Sequence, residues 1–198
     1  KTIIKRLRIV DMYKHNGFTL IELLTSVSIL MLLITIGMPA LADFTVKLRV
    51  DREISALHKM IAFTKNTAIN SNTNITICPL NNANICTTDW HLTISIFTDH
   101  NKNKEFEPSL DEAILRVKAP INEGDKLQYG SNRTALVFGP TGHLVIWGGN
   151  ATFKYCPKDH EDKNRGIIVS RAGRAYQTTD LRNDGLDRNR SGTLIICD

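Results

Sequence analysis

Residues 16–33 read NGFTLIELLTSVSILMLL, and the chain changes character at Gly17-Phe18. From Phe18 to Ala42 there are 25 residues with a single charged group, Glu22. As a helix this stretch is roughly 37 Å long, enough to cross a bilayer core of about 30 Å with some tilt. Gly37 and Pro39 interrupt its far end and Asp43 closes it. A lone carboxylate in hydrocarbon costs a few kcal/mol, so Glu22 calls for a partner or a route to the headgroups. The preceding run, KTIIKRLRIVDMYKH, carries Lys1, Lys5, Arg6, Arg8 and Lys14 against Asp11. By the positive-inside rule, residues 1–17 stay in the cytoplasm and the rest of the chain faces the other side.

An ordinary secretory signal peptide is the plainer reading, and Ala40-Leu41-Ala42 offers a small-residue cleavage site before Asp43. The apolar run is too long for that and contains an acid. The helical pattern also continues past Asp43, with apolar residues at Val46, Val50, Ile54, Leu57, Ile61 and Ala68 on one face. Lys47, Arg49, Asp51, Arg52, Glu53 and Lys59 are expected to fill much of the opposite side. One helix from about Phe18 to about Asn70 would be roughly 80 Å long. Its first half, 18–42, is apolar all round. Its second half, 43–70, is amphipathic and needs a domain to lie against.

The whole chain of 198 residues has a net charge of +5. Residues 1–17 hold net +4 of it, and the remainder carries 20 basic against 19 acidic groups, so a nucleic-acid reading from the total charge is weak. Four cysteines occur, Cys78, Cys86, Cys156 and Cys197, with no CxxC. Behind a membrane-targeting segment an even number favours disulfides in an oxidising compartment. Three pairings are open. Cys78–Cys86 with Cys156–Cys197 is favoured, because closing a short local loop costs little entropy.

The hexapeptide Gly17-Phe18-Thr19-Leu20-Ile21-Glu22, after a short basic leader and before a long apolar helix containing Pro39, resembles the processing site of type IV pilins and type II secretion pseudopilins. The resemblance extends over most of the first 70 residues. It implies that a prepilin peptidase of the inner membrane cuts between Gly17 and Phe18 and methylates the new amino terminus of Phe18. It implies that Glu22 then pairs with the Phe18 amine of a preceding subunit and registers the helices in a filament. Because Lys1 is not a methionine, the leader 1–17 is expected to lack its start. The other implied partners are further pilins or pseudopilins and an inner-membrane assembly platform. The implied location is a single-pass inner-membrane precursor with a periplasmic head, later a pilus or pseudopilus.

Beyond about residue 71, β-branched and aromatic runs alternate with turn residues: NITIC (74–78), HLTISIF (91–97), AILRV (113–117), ALVFG (135–139), HLVIW (143–147), ATFKY (151–155), GIIVS (166–170) and TLIIC (193–197). These predict short strands, with a turn over Phe138–His143. The expected fold is α+β and type IV pilin-like, a long N-terminal helix whose second half packs on an antiparallel, sandwich-like β head over 71–198. The late segment GIIVSRAGRA (166–175) resembles a hairpin of the GspH/FimT branch, whose members serve type II secretion or type IV pili. Some pilus members bind DNA in natural transformation, which makes Arg171 and Arg174 candidate phosphate contacts and Tyr176 a candidate base-stacking ring. The DNA-binding members resemble Gly-Arg-x-Arg at this turn. Here Tyr176 replaces the second arginine, and aspartates interleave with the basic residues.

Other chemistry has less behind it. Asp99, Asn101, Asn103 and Glu105 alternate like the start of a calcium loop, yet Lys104 and Leu110 stand where glycine and glutamate are needed, so an Asx-rich turn is expected. Cys156 and His160 have a spacing a metal could use, without a second half-site. The six histidines form no HExxH, and no GxSxG or P-loop occurs. Ser170 near His160 is not a triad signal without geometry. No catalysis, cofactor or metal is expected.

Overall fold

A computed structural model describes residues 17–145 and 150–197 of the chain. Residues 1–16 of the expected leader 1–17, residues 146–149 with the end of the expected strand 143–147, and residue 198 lie outside the described residues. Helix α1 spans Leu20–Ser71, with Pro39 inside it. Asn72 ends the helix in the left-handed conformation, φ 52°, which asparagine tolerates because its short amide can bond locally. Two compact units divide the chain, one up to Ala42 and one from Asp43 to the C-terminus.

The second unit carries the β structure. In chain order the strands are β1 (Ile75–Pro79), β2 (Ile94–Thr98), β3 (Ile114–Lys118), β4 (Lys126–Tyr129), β5 (Leu136–Phe138), β6 (Ala151–Cys156), β7 (Arg165–Val169) and β8 (Ala175–Gln177). They form two four-stranded antiparallel sheets, ordered β3-β2-β1-β5 and β4-β6-β7-β8. Strand β1 is buried along its whole length and β2 nearly so, which is why their sequences read as continuous rather than alternating apolar runs. β6 keeps the half-buried alternation at Ala151–Lys154.

Three sequence expectations change here. TLIIC (193–197) is not a strand and makes only an isolated bridge between Leu194 and Arg188. HLVIW begins with a single bridge, Leu144 to Phe138. Strand β4, KLQY, was not expected, because its short and charged sequence carries little strand signal.

One core joins both sheets to the helix. Val50, Ile54, Leu57 and Ile61 are each at most 2% exposed and meet Ile75, Ile77, Phe97, Phe138, Phe153 and Ile167 in a single cluster. Burying each such side chain contributes roughly 1.5–3 kcal/mol. Trp90 packs edge-on against the stacked rings of Tyr129 and Phe153, at 5.4 and 4.9 Å, and its indole N–H donates to the Arg133 carbonyl at 2.7 Å. The cysteines pair as Cys78–Cys86 and Cys156–Cys197, the favoured arrangement. The second bridge ties the irregular C-terminal segment to β6.

Candidate functional site

The start of α1 is built as a capping box. The Glu22 N–H donates to Thr19 Oγ1 at 3.3 Å, and the Thr19 N–H reaches back to Glu22 Oε2 at 3.5 Å. Threonine followed three residues later by glutamate satisfies two orphan donors at a helix end. The hydroxyls that follow turn inward: Thr25 and Ser26 donate to the Glu22 carbonyl, and Ser28 to that of Leu24. Their polarity is thereby satisfied within the helix. All residues from Gly17 to Ala42 are exposed, and the segment is long and apolar enough to cross a membrane. Glu22 has no ion pair among the described residues. The geometry thus gives Glu22 a capping role with Thr19 as its partner.

The second half of the helix is held by charge as well as by its apolar stripe. Arg49 Nε lies 3.2 Å from Asp125 Oδ2, Arg165 2.6 Å from Asp51, Lys118 2.6 Å from Glu53, and Lys163 3.5 Å from Asp43. This corrects the expectation that Arg49, Asp51 and Glu53 line a solvent face. The sheets rise on both flanks of the stripe and cover these residues too. Asp125, 5% exposed, is the hub. Besides Arg49 it accepts the Tyr155 hydroxyl and the Lys158 N–H. Burial, reinforced by the Asp125 carboxylate, raises the Tyr155 phenol well above its ordinary range and keeps it a donor. Tyr129 is pushed up to about 12 by burial, against the opposing pull of Arg133.

Arg171 and Arg174 stand where the sequence placed them, on the turn between β7 and β8. The Ser170 N–H donates to the Arg174 carbonyl at 2.9 Å, and Gly173 takes φ 72°. A Cβ on Gly173 would overlap the Gly142 carbonyl oxygen, so this turn docks tightly on the Gly139–His143 turn. The Leu144 N–H donates to the Arg171 carbonyl at 3.0 Å across the same junction. Both arginines are exposed and make no ion pair among the described residues. Arg174 lines a cavity of about 440 Å³ together with His58, Lys65, Tyr176 and Arg190, with no carboxylate in its lining. The sequence did not anticipate Lys65 or Arg190 here. Lys65 could have been found from its place beside the Ile61–Ala68 stripe. Arg190 sits in an irregular loop and left no such trace. Tyr176 is not open on both faces for stacking, because the Arg190 guanidinium lies 3.9 Å over its ring.

The remaining candidates are not brought together. Asn101 and Asn103 turn their side-chain oxygens to the N–H groups of Asn103 and Glu105, which is the expected Asx turn. Cys156 is in a disulfide, and His160 faces Asp43 at 3.8 Å rather than Ser170. Ser170 Oγ accepts the Arg174 N–H.

The family model for the type II transport protein GspH matches residues 53–173, and that for the prokaryotic N-terminal methylation motif matches residues 12–38. Crystal structures of the type IV minor pilin FimU of Pseudomonas aeruginosa share the fold in two crystal forms. One has a TM-score of 0.55 and covers 69% of this chain and 92% of FimU; the other has 0.51, with 65% and 92%. Both are 22% identical to this chain. No curated protein shows significant similarity to the chain.

Proposed function

We propose a filament-subunit role from one premise: the chain belongs to the GspH family and is a GspH/FimT-like type IV pilin with an N-terminal methylation motif. Subunits of this family are structural components, not enzymes, and they assemble with other pilins. The finer reading is a minor pilin or pseudopilin. Its precursor spans the inner membrane once with the head in the periplasm. Prepilin peptidase removes residues 1–17 by cutting between Gly17 and Phe18, and Phe18 is N-methylated. An assembly platform then moves the subunit into a type IV pilus or a type II secretion pseudopilus.

The observation that carries this reading is the methylation motif over residues 12–38, which contains both the cut site and Glu22. Physical chemistry supplies the reason to assemble. In the capping box the Glu22 carboxylate has one long backbone bond and no counter-charge among the described residues. The amine of a neighbouring subunit's Phe18 offers a charge-assisted bond, roughly twice as strong as a neutral one. Pairing with that amine in the filament would relieve the membrane cost of the carboxylate. Mass spectrometry of the chain purified from cells tests the processing: the expected amino terminus is N-methylated Phe18. Retention of residues 1–17, or a cut after Ala42, overturns it. Glu22→Ala is expected to be cut normally yet absent from sheared filaments, and its normal incorporation would remove Glu22 from the assembly role.

A second reading has one observation in its favour: Arg171 and Arg174 are exposed without an ion pair among the described residues, and Arg174 lines a cavity without acids. On this reading the head captures DNA through phosphate contacts, for uptake in natural transformation. Gel shifts with duplex DNA at several salt concentrations test it. Binding should weaken steeply with salt and be lost in an Arg171→Ala/Arg174→Ala variant; binding that persists in the variant excludes these residues.

A further inference from the structure

The C-terminal segment holds an acidic loop closed on a buried arginine, Arg188. Counting from Asp180, Asp184 stands at position 5, Gly185 at position 6 and Leu186 at position 7. A calcium loop of the EF-hand kind draws ligands from side chains at positions 1 and 5 and from the carbonyl at position 7, with glycine at position 6 for the sharp turn. Gly185 makes that turn with φ 83°. The Asp180 carboxylate accepts the N–H groups of Arg182, Asp184 and Gly185 at 3.0, 3.3 and 2.7 Å, so the loop winds round it.

The oxygens at positions 1, 5 and 7 converge on one atom, Arg188 Nη1. Asp184 Oδ1 is 2.7 Å from it, the Leu186 carbonyl 3.0 Å and Asp180 Oδ1 4.0 Å. The second guanidinium nitrogen, Nη2, takes Asp184 Oδ2 at 2.6 Å. Arg188 is 5% exposed, while its neighbours Arg182 and Arg190 are exposed. Its backbone is fixed as well, bridged to Thr179 on one side and Leu194 on the other. Arg182 at position 3 and Ser191 at position 12 supply none of the remaining calcium ligands. Two carboxylates and a carbonyl facing inward need a positive charge. The chain supplies it from position 9 by covalent tether.

We propose that Arg188 is an internal counter-ion seated at the cation position of a calcium-type loop. It makes the C-terminal segment independent of metal, and its removal uncovers a site for calcium. The uncovered site has few protein ligands and completes its shell with water, which places it among the weak loops with Kd of about 10⁻⁴–10⁻³ M. A chelator cannot strip a tethered guanidinium. The loop therefore keeps its form at any calcium concentration outside the cytoplasm.

The test is thermal unfolding of the full-length chain in detergent with its disulfides intact, in 1 mM EDTA and in 10 mM CaCl₂ (about 10–100 times that Kd). The wild type is expected to have the same Tm in both to within about 1 °C. Arg188→Ala should melt lower in EDTA and regain about 5–10 °C in calcium. Asp184→Asn/Arg188→Ala should regain nothing. If Arg188→Ala folds only with calcium, the proposal stands in its strongest form. It is overturned if the wild type itself shifts with calcium, or if Arg188→Ala behaves alike, folded or unfolded, in both buffers. Arg188→Lys keeps the tethered charge and is expected to fold without responding to calcium; a calcium response there also overturns the proposal.

Discussion

The two halves of α1 share one secondary structure and almost nothing else. From Leu20 to Ala42 all residues are exposed and nearly all uncharged. From Asp43 to Ser71 a stripe of seven residues is buried, and charged residues flank it. The backbone hydrogen bonds are of the same kind in both, so they cannot explain what each half does. The difference is where free energy remains to be gained. The second half has already gained it, by burying Val50, Ile54, Leu57 and Ile61 and pairing Arg49, Asp51 and Glu53 with the sheets. The first half keeps an exposed apolar surface and a carboxylate, Glu22, with no ion pair among the described residues. Such an element is stable in a bilayer or in a bundle of like helices, and nowhere in water.

The sharpest way to break this comparison is at Asp125. Asp125→Ala leaves Arg49 and the Tyr155 hydroxyl without their buried acceptor, and is expected to destabilise the second unit by about 3–5 kcal/mol. Denaturant unfolding followed by tryptophan fluorescence measures it, and a loss below about 1 kcal/mol would show that the clamp is ornamental. Next comes a matched pair of truncations in the same helix. Ile54→Ala should cost about 3 kcal/mol in the same experiment, while Ile29→Ala should leave that transition unmoved. Equal losses would erase the distinction between the halves. Thr19→Ala is smaller and local. Losing the cap should cost about 1 kcal/mol of helix start, read as amide exchange at Leu20–Leu23 about fivefold faster, with the denaturant transition of the second unit unchanged.

Much of this organisation was legible in the sequence, for reasons that differ by region. The apolar run was legible because a segment able to cross a membrane must be apolar on every side. The stripe from Val50 to Ala68 was legible because one-sided burial imposes a 3.6-residue period. The flanking charges were misread, since periodicity tells which face is buried but not how far a neighbouring sheet climbs round it. Arg49 pairs with Asp125, 76 residues away, and no local pattern encodes that distance. At the candidate site, Arg171 and Arg174 were singled out by the resemblance of residues 166–175 to a GspH/FimT hairpin, and they lie on the turn between β7 and β8. Lys65 and Arg190 reach the same cavity only through tertiary packing. The C-terminal segment was misread as a strand because TLIIC has strand composition, whereas its backbone is committed to the Cys156–Cys197 bridge and the Arg188 bridges. Buried Arg188 had no sequence signature other than the aspartates before it.

The smallest effect sharpens the same contrast at the far end of the chain, where charge rather than apolar area holds the backbone. The hydrogen bonds from Arg188 hold the Asp184 carboxyl at about 2, below its ordinary 3.8. A carboxylate depressed in the folded state stabilises it at pH values above the unfolded pKa, and that contribution is lost as pH falls through the folded pKa. The contribution from Asp184 is therefore complete above about pH 4 and disappears toward pH 2. Asp184 is exposed, so solvent screens most of the pairing and only a shallow slope is expected. Comparing the wild type with Asp184→Asn over this window isolates it from the other carboxylates. The two proteins should differ at pH 5 and converge by pH 2. A gap that stays constant with pH would mean that Asp184 acts through the shape of the loop and not through its charge. In that case the tie to Arg188 would be a hydrogen-bonding device only, whereas the helix clamp at Asp125 would remain the ionic one.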